Sequence, residues 1–219
     1  AGLSKAIEEG KLDGLKGMGE KKIESIKQGI AIRSTAGLRT GIVDALPLAE
    51  SFVARVRAIP GVKQAEYAGS LRRRRETVGD LDLICTLDSG ATGESVSSQF
   101  VKFAEVERIL GQGATKASVL TAGGLQVDLR VVPQENLGAA LLYFTGSKDH
   151  NVRLRSRAQD AGMTLNEWGL YELAAFENAP KKTGHAPELT PVASRTEADV
   201  YKKLGLDFIP PELREDRGE

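Results

Sequence analysis

Two aspartates separated by a single residue, Asp80 and Asp82, are the side chains of this sequence best suited to chemistry. Residues 83–87 follow them with apolar and β-branched side chains, a composition typical of a strand. Since alternate residues of a strand point to the same face, we expect the two carboxylates side by side. Paired anionic oxygens at this spacing make half of a Mg²⁺ site.

A third acid, Asp128, occurs in a second strand-like segment, residues 125–132. The alternating pattern places it opposite the apolar residues, on one face with Gln126 and Arg130. Such an acid is costly to bury unless a metal ion or a base neutralises it, and Arg130 is the base that we expect to pair with an acid. An Asp-x-Asp pair alone also occurs by chance. If the two strands are neighbours, however, three carboxylates converge.

Phosphate chemistry is indicated just upstream, by a Gly-Ser turn at residues 69–70 and an arginine run at 72–75. The backbone N–H groups of such a turn and the guanidinium forks of arginine both bind phosphate oxygens. The alternative is a solvated helix face, which is what most charge runs are. The nearby acids favour the polyphosphate interpretation.

Composition is that of an ordinary globular protein, with 219 residues, 41% hydrophobic and 27% charged. The sequence has no apolar run long enough to predict a membrane span, and its Ala-Gly start predicts no secretion signal. The single cysteine, Cys85, lies in a predicted strand, which favours a core position and a reducing, cytoplasmic location.

The net charge is zero, but the charges are unevenly distributed. Residues 1–79 carry 15 basic and 9 acidic side chains, and residues 148–157 carry 4 and 1. Between them, residues 80–147 carry 4 basic and 8 acidic side chains. Basic blocks on both sides of an acidic centre indicate a polyanion held by flanking surfaces, with metal ions at the centre. A mixed surface without function is the alternative.

The elements that must position these residues follow from apolar periodicity and turn residues. Residues 89–98 are a predicted loop, and Gly123-Gly124 is a hairpin signal. The predicted helices cover residues 2–9, 44–58, 99–110, 136–144, 148–157 and 196–204, and the predicted strands cover 62–68, 83–87, 114–121, 125–132 and parts of 164–171. This is an α+β fold in which helices pack on a mixed sheet.

A helix, a Gly-x-Gly turn and a second helix begin the chain, which is the helix-hairpin-helix pattern. Gly17 and Gly19 allow the turn backbone to approach closely, and the N–H groups behind it suit a DNA phosphate. Lys21 and Lys22 add positive charge. A tight turn without DNA contact remains an equal alternative.

Together these features resemble the X family of DNA polymerases, the DNA polymerase beta-like enzymes. The arginine run, His150 and residues 210–215 are most similar to its bacterial and archaeal branch. The order of the matching residues is specific and covers nearly the whole chain: Gly69-Ser70, Arg73, Gly79-Asp80-Leu81-Asp82, Asp128, Tyr143-Phe144-Thr145-Gly146-Ser147, Asn151 and Arg155.

The resemblance implies a nucleotidyltransferase-type palm with a mixed β-sheet over residues 41–134. A partial helix-hairpin-helix DNA-binding segment over 1–40 precedes it, and a small α/β subdomain for the dNTP and the nascent base pair follows over 135–219. It also implies a polymerase core fragment without the family's N-terminal lyase-type domain and its C-terminal PHP domain.

For the reaction, the resemblance implies two Mg²⁺ ions, with Mn²⁺ as a possible substitute. Asp80 and Asp82 are then ligands of both ions and Asp128 of the ion at the primer terminus, so these three are the catalytic and metal residues. The remaining implied contacts are Gly69, Ser70, Arg73, Gly79, Tyr143, Phe144, Gly146 and Asn151 with the dNTP, and Gly17, Gly19, Lys21, Lys22, Arg130 and Arg155 with DNA.

The implied function is template-directed, gap-filling DNA synthesis of the repair type, with primer–template or gapped DNA and dNTP as partners, no membrane contact and a monomeric state. Two alternatives remain open. A template-independent nucleotidyltransferase shares Gly-Ser and Asp-x-Asp but lacks the hairpin turn and the Tyr-Phe-Thr-Gly-Ser element. A DNA-binding core with little turnover would result if truncation removed too many of the contacts with DNA.

Overall fold

The structure is a computed structural model that describes residues 5–7, 9–12, 18–19, 23, 26, 39–180, 187–216 and 218. The chain divides into one unit of Ala1–Arg39 and another of Thr40–Glu219. In the first unit, residues 5–7 are helical and the Ile23 N–H donates to the Gly19 carbonyl at 3.1 Å. Of the predicted hairpin residues, Gly17, Lys21 and Lys22 lie outside the described residues.

The second unit begins with a short strand, β1 (Thr40–Gly41), and a long helix, α1 (Ile42–Arg57). Helix α1 buries Ala45, Ala49, Phe52, Val53 and Val56, which recur at helical spacing, and it ends before the Pro60-Gly61 turn. Its prediction as residues 44–58 is confirmed. These side chains form the main core together with the inner faces of the sheet strands.

The central sheet has five strands in the order β2-β4-β7-β6-β5, and only the β4–β7 pair is parallel. Strand β4 lies between two neighbours and is buried on both faces, with Leu83 toward α1 and Ile84 toward a smaller cluster on the other face. This explains its continuous apolar run. The strands are β2 (Val62–Tyr67), β3 (Thr77–Val78, paired with β1), β4 (Asp80–Leu87), β5 (Val106–Gln112), β6 (Lys116–Thr121) and β7 (Gln126–Val131).

The prediction of a helix over residues 99–110 is wrong. Helix α3 (Gly93–Phe100) begins within the predicted loop, capped by Thr92, and ends at Phe100. Phe100 and Phe103 pack on each other with ring centres 5.5 Å apart, and this contact accompanies the turn that the chain makes after the helix. Residues 106–112 then pair with β6 at the sheet edge. Their helix-forming composition is overridden by this pairing.

The remaining elements form a second core around Leu142, Leu154, Leu170 and Tyr201. The predicted helices at 136–144, 148–157 and 196–204 are confirmed, and residues 164–171 form a hairpin of two strands. Helix α6 was not predicted. The elements are α4 (Leu137–Thr145), α5 (Lys148–Asp160), β8 (Met163–Asn166), β9 (Gly169–Glu172), α6 (Leu173–Asn178) and α7 (Glu197–Lys203), with the four-residue helix α2 (Gly69–Arg72) upstream.

The architecture confirms the predicted α+β class with a mixed sheet. Within the described residues, none of the helices combines the length and the apolar character that crossing a bilayer requires.

Candidate active site

The acids of the Asp-x-Asp pair and the third acid lie on neighbouring strands. In the parallel register of β4 and β7, Asp82 is directly opposite Asp128, and Asp80 is opposite Gln126. Strand β4 begins at Asp80 itself, so Asp80 and Asp82 both belong to a regular strand. Their carboxylates therefore point to the same face. The predicted pairing of the two acidic strands is therefore confirmed.

Asp82 is less compensated by positive charge than Asp128. Burial raises the pKa of its carboxyl to about 6; the charges of Asp80 and Asp128 add to this effect, while Arg130 and Lys116 oppose it. Gly69 lies directly against this carboxylate, because a Cβ at that position would be 2.5 Å from Oδ2 of Asp82. Its φ of +65° also favours glycine.

Asp128 has partners that the sequence prediction did not include. Its carboxylate accepts from Lys116 Nζ at 2.7 Å and from Gln126 Nε2 at 2.9 Å. Burial raises its pKa, but hydrogen bonds from Lys116, Gln126 and Ser118 outweigh burial and hold the pKa below its usual range. Lys116 therefore supplies the positive charge at this acid.

Arg130, the base expected to pair with an acid, has a different principal contact. Its guanidinium lies over the ring of Phe144, 4.0 Å from the ring centre. The hairpin register places Lys116 opposite Arg130, on the same face as Asp128. Pairing residues outward from the hairpin turn that contains Gly123-Gly124 places Lys116 on this face. The sequence therefore contained a signal for the contact between Lys116 and Asp128.

The donor set suits a hard divalent cation, since carboxylate oxygens are its preferred ligands. In the part of the chain that the structure describes, however, no three His, Cys, Asp or Glu side chains form a group that could hold a metal ion as they stand. The Lys116 ammonium on Asp128 shows that positive charge fits at this point. A cation bound by all three acids would lie next to the Lys116 ammonium or displace it from Asp128.

The arginine run is not a uniformly solvated face. Arg72 ends α2 and donates to both Glu197 oxygens, at 2.9 and 2.6 Å, and to Thr145 Oγ1 at 2.7 Å. Arg73 donates from Nε to Glu215 at 2.8 Å and from Nη1 to the Thr145 carbonyl at 2.5 Å. Arg74 and Arg75, in contrast, are exposed. Arg72 and Arg73 are thus hydrogen-bonded to the C-terminal elements, and Arg75 lies 3.8 Å from the Glu215 carboxylate.

Glu197 lies at the centre of a buried ion triad with Arg72 and Arg214. The fully buried Arg214 donates from Nη1 to Glu197 Oε1 at 2.6 Å and from Nε to the Ile209 carbonyl at 2.8 Å. Burial raises the pKa of Glu197, but its hydrogen bonds and charge interactions with the two arginines outweigh burial and hold the pKa below its usual range. The sequence prediction assigned no role to Glu197.

The other predicted nucleotide residues follow the Gly-Ser turn or lie at the end of α4. Ser70 is half-buried in α2, and Gly79 lies between β3 and β4. The Tyr143 and Phe144 rings are half-buried and meet edge to face, with their centres 5.0 Å apart. Gly146 has a φ of +70° and lies against Arg73: a Cβ there would be 3.3 Å from Nη1.

Asn151 and Arg155 share one side of α5, as the helical spacing predicts. Asn151 Nδ2 donates to the Tyr143 carbonyl at 2.7 Å, and Arg155 is exposed. Both line a small crevice together with Tyr143 and Asn166. The structure thus joins the polar side of α5 to the aromatic end of α4.

Comparisons with known proteins bear on this arrangement. Residues 140–215 match the DNA polymerase beta thumb family. Over 215 residues the chain is 34% identical to the DNA polymerase/3'-5' exonuclease PolX of Bacillus subtilis, an alignment that covers 97% of this chain and 35% of that protein. It is 31% identical over 162 residues to DNA polymerase lambda of Rattus norvegicus, which covers 67% of this chain and 28% of that protein.

Solved structures of Leishmania infantum polymerase beta have the same fold. The ternary gap complex superposes with a TM-score of 0.77 at 21% identity, covering 97% of this chain and 80% of that chain. The ternary P/T complex gives a TM-score of 0.74 at 24% identity, covering 97% and 88%. The chain spans about a third of the length of the curated relatives that it matches.

Proposed function

The chain belongs to the X family of DNA polymerases, and on that premise we propose that it transfers a nucleotidyl group from a dNTP to a primer 3′-OH under the direction of a template. The reaction is of the gap-filling repair type. One observation carries the proposal: the parallel register that sets Asp82 opposite Asp128, beside the Gly69 turn. That placement brings acids for a metal site next to a phosphate-binding turn.

Asp80 and Asp82 would hold two Mg²⁺ ions, and Asp128 the ion at the primer terminus; Mn²⁺ suits the same oxygen ligands. Bound there, the ions supply the charge neutralisation that in-line phosphoryl transfer requires. The pKa of Asp128 lies below its usual range, so this carboxylate is ionised at neutral pH. Asp82, with a pKa of about 6, is mostly ionised at neutral pH.

The triphosphate binds at the turn before β4 in this proposal. Ser70 and Arg73 hold the β- and γ-phosphates, and Gly69 and Gly79 allow the backbone to approach them. The position of Gly69 against Asp82 supports this assignment, because phosphate and metal ligands then share one small region. A planar guanidinium binds phosphate in a fixed geometry better than an ammonium does.

The nascent base pair lies against the ends of α4 and α5. Tyr143 and Phe144 pack against the incoming sugar, and Gly146 is a further dNTP contact. Asn151 reaches the minor-groove edge of the base, where every pair offers an acceptor. The contact between Asn151 and the Tyr143 carbonyl supports a common role for these elements. The proposed DNA contacts are Arg130 and Arg155 in this unit and Gly17, Gly19, Lys21 and Lys22 in residues 1–40.

The proposed substrate is gapped or primer–template DNA, bound by a monomer. The fold relatives are ternary gap and P/T complexes, which supports this choice. We assign residues 1–40 to a DNA-binding segment, 41–134 to the catalytic palm and 135–219 to the subdomain for the nascent base pair. The thumb family match over 140–215 supports the last assignment.

Extension of a labelled primer opposite each template base, with and without Mg²⁺, tests the function. We expect one complementary nucleotide to be added opposite each template base, and only with metal. Addition without regard to the template would instead establish a template-independent nucleotidyltransferase. DNA binding without extension, at protein concentrations that saturate the primer, would establish a binding core.

A further inference from the structure

Arg73, the proposed triphosphate ligand, is held at two of its three guanidinium nitrogens. Nε donates to Glu215 Oε1 at 2.8 Å, and Nη1 donates to the Thr145 carbonyl at 2.5 Å. The side chains of Arg73 and Glu215 are only 14% and 20% exposed. Among the described residues, Nη2 of Arg73 has no hydrogen-bond partner. The guanidinium plane is therefore fixed while one nitrogen stays available.

The backbone beside Glu215 is itself anchored. Its neighbour Arg214 is completely buried, pairs with Glu197, and accepts from the Ser147 N–H at 3.0 Å through its carbonyl. Glu215 therefore extends from a stretch of backbone that is fixed at the preceding residue, and its carboxylate can orient the neighbouring Arg73.

The pair lies at an open cavity of about 600 Å³ in which arginines and glutamates alternate in charge. Its lining consists of Arg73, Arg74, Arg75, Glu76, Thr77, Glu212, Leu213 and Glu215. Arg75 Nε lies 3.8 Å from the Glu215 carboxylate, so Glu215 also limits repulsion between the two guanidinium groups. Without Glu215, Arg73 would keep only the hydrogen bond from Nη1 to the Thr145 carbonyl among the described residues, and one contact fixes the guanidinium plane less well than two.

We propose that Glu215 is a positioning residue of the nucleotide site: its carboxylate fixes the orientation in which Arg73 receives the triphosphate. The inference rests on the proposed function and adds a residue from the C-terminal end of the subdomain to the phosphate site. Because Arg73 is already oriented, nucleotide binding costs less conformational entropy of this side chain. Glu215 touches no substrate and acts only through Arg73.

The test compares Glu215→Ala and Glu215→Gln with a matched control, Glu212→Ala, an exposed acid on the same cavity without an ion pair in the described residues. The measurements are KM for dNTP and kcat in primer extension, and equilibrium binding of a non-hydrolysable dNTP analogue to the protein–primer–template complex. We expect Glu215→Ala to raise KM and to weaken analogue binding roughly tenfold, the scale of one charge-assisted hydrogen bond.

We expect kcat of Glu215→Ala to fall less than KM rises, and Glu215→Gln to recover most of the affinity because its amide oxygen still accepts from Nε. Glu212→Ala should resemble the wild type. Lower KM in both Glu215 variants would show that the carboxylate blocks the site, and this would overturn the proposal. Unchanged analogue binding, or equal loss in both variants with a lowered melting temperature, would also overturn it.

The proposed function fails by a different result. If the wild-type chain neither extends a primer nor binds the analogue, the function is refuted and the role of Glu215 falls with it. If the wild type extends normally and only the Glu215 variants behave contrary to expectation, the function stands and the positioning role alone is refuted.

Discussion

The strand acids (Asp80, Asp82 and Asp128) and the arginine junction (Arg72, Arg73, Glu197, Arg214 and Glu215) are two charged regions of the same unit with opposite electrostatics. At the strands, burial and neighbouring acids raise the pKa of Asp82 to about 6. At the junction, the two arginines outweigh the burial of Glu197 and lower its pKa. At the strands Lys116 pairs with Asp128 while the charged form of Asp82 stays disfavoured, whereas both acids of the junction are paired with arginines.

The difference separates two uses of buried charge. Acids that repel one another lower the stability of the folded state. They also favour the binding of any cation that reaches them, as a metal-dependent site requires. Acids paired with arginines in a buried network hold distant segments in one arrangement, and removal of one partner leaves the others uncompensated. The strand acids therefore suit the proposed metal-dependent reaction, and the arginine junction suits the positioning of α2 against the C-terminal elements.

The largest expected effect is on the reaction, at the strand acids. Asp128→Asn keeps the shape of the side chain but removes its charge, so we expect extension to fall roughly a thousandfold or more, about 4 kcal/mol in the barrier. Binding of dNTP should be largely kept. Single-turnover extension and nucleotide binding measure the two quantities. Asp88→Asn, an exposed aspartate just beyond β4, is the control; extension at the normal rate by Asp128→Asn would remove Asp128 from the site.

At the arginine junction the largest effect is on stability. Glu197→Gln leaves Arg72 and Arg214 uncompensated, and we expect a loss of about 3–5 kcal/mol in the free energy of unfolding at pH 7. Because the pKa of Glu197 is lowered in the folded state, its contribution is present above the unfolded value and is lost as pH falls through the folded value. The gap between wild type and variant should therefore shrink in acid.

Urea unfolding at several pH values measures this gap. Glu66→Gln breaks an ion pair with Arg57 in which both side chains are about half exposed, so it should cost under about 1 kcal/mol. Equal losses in the two variants would mean that the junction contributes no more than a surface pair.

Arg73 tests the part of the junction that is proposed to bind the nucleotide. Arg73→Ala should weaken dNTP binding by roughly 1.5–3 kcal/mol, the scale of a hydrogen bond to a charged group. Binding of primer–template alone should change little. Titrations of nucleotide and of DNA are compared with those of Arg108→Ala, an exposed arginine on β5. Similar losses for nucleotide and DNA would show that the arginine run is a general DNA surface.

The smallest expected effect is a gain in stability at the strand acids. Because the folded pKa of Asp82 is raised to about 6, its contribution to stability is present below the unfolded value near 4 and is lost as pH rises to about 6. Without added metal, Asp82→Asn should be more stable than the wild type at pH 7, on the order of 1–2 kcal/mol. The two proteins should converge near pH 4. A variant less stable than the wild type at pH 7 would contradict the repulsion described here.

Local pattern was sufficient for much of the fold and for the shared face of the proposed catalytic acids. Apolar and β-branched composition over residues 83–87 and alternation over residues 125–132 identified two strands, because both signals are properties of each segment alone. Helix α1 and the hairpin at Gly123-Gly124 were likewise readable from spacing and turn residues. The edge strand β5 was not, because its partner strand decides its conformation.

The sequence by itself therefore determined which acids, glycines and arginines this protein offers for chemistry, since residue type and short-range spacing decide that. Only the tertiary structure decided their partners. Lys116 reaches Asp128 through strand pairing, and Glu215 reaches Arg73 across 142 positions of the chain. Contacts between segments so distant in the chain depend on how whole elements pack, and no local pattern contains that information.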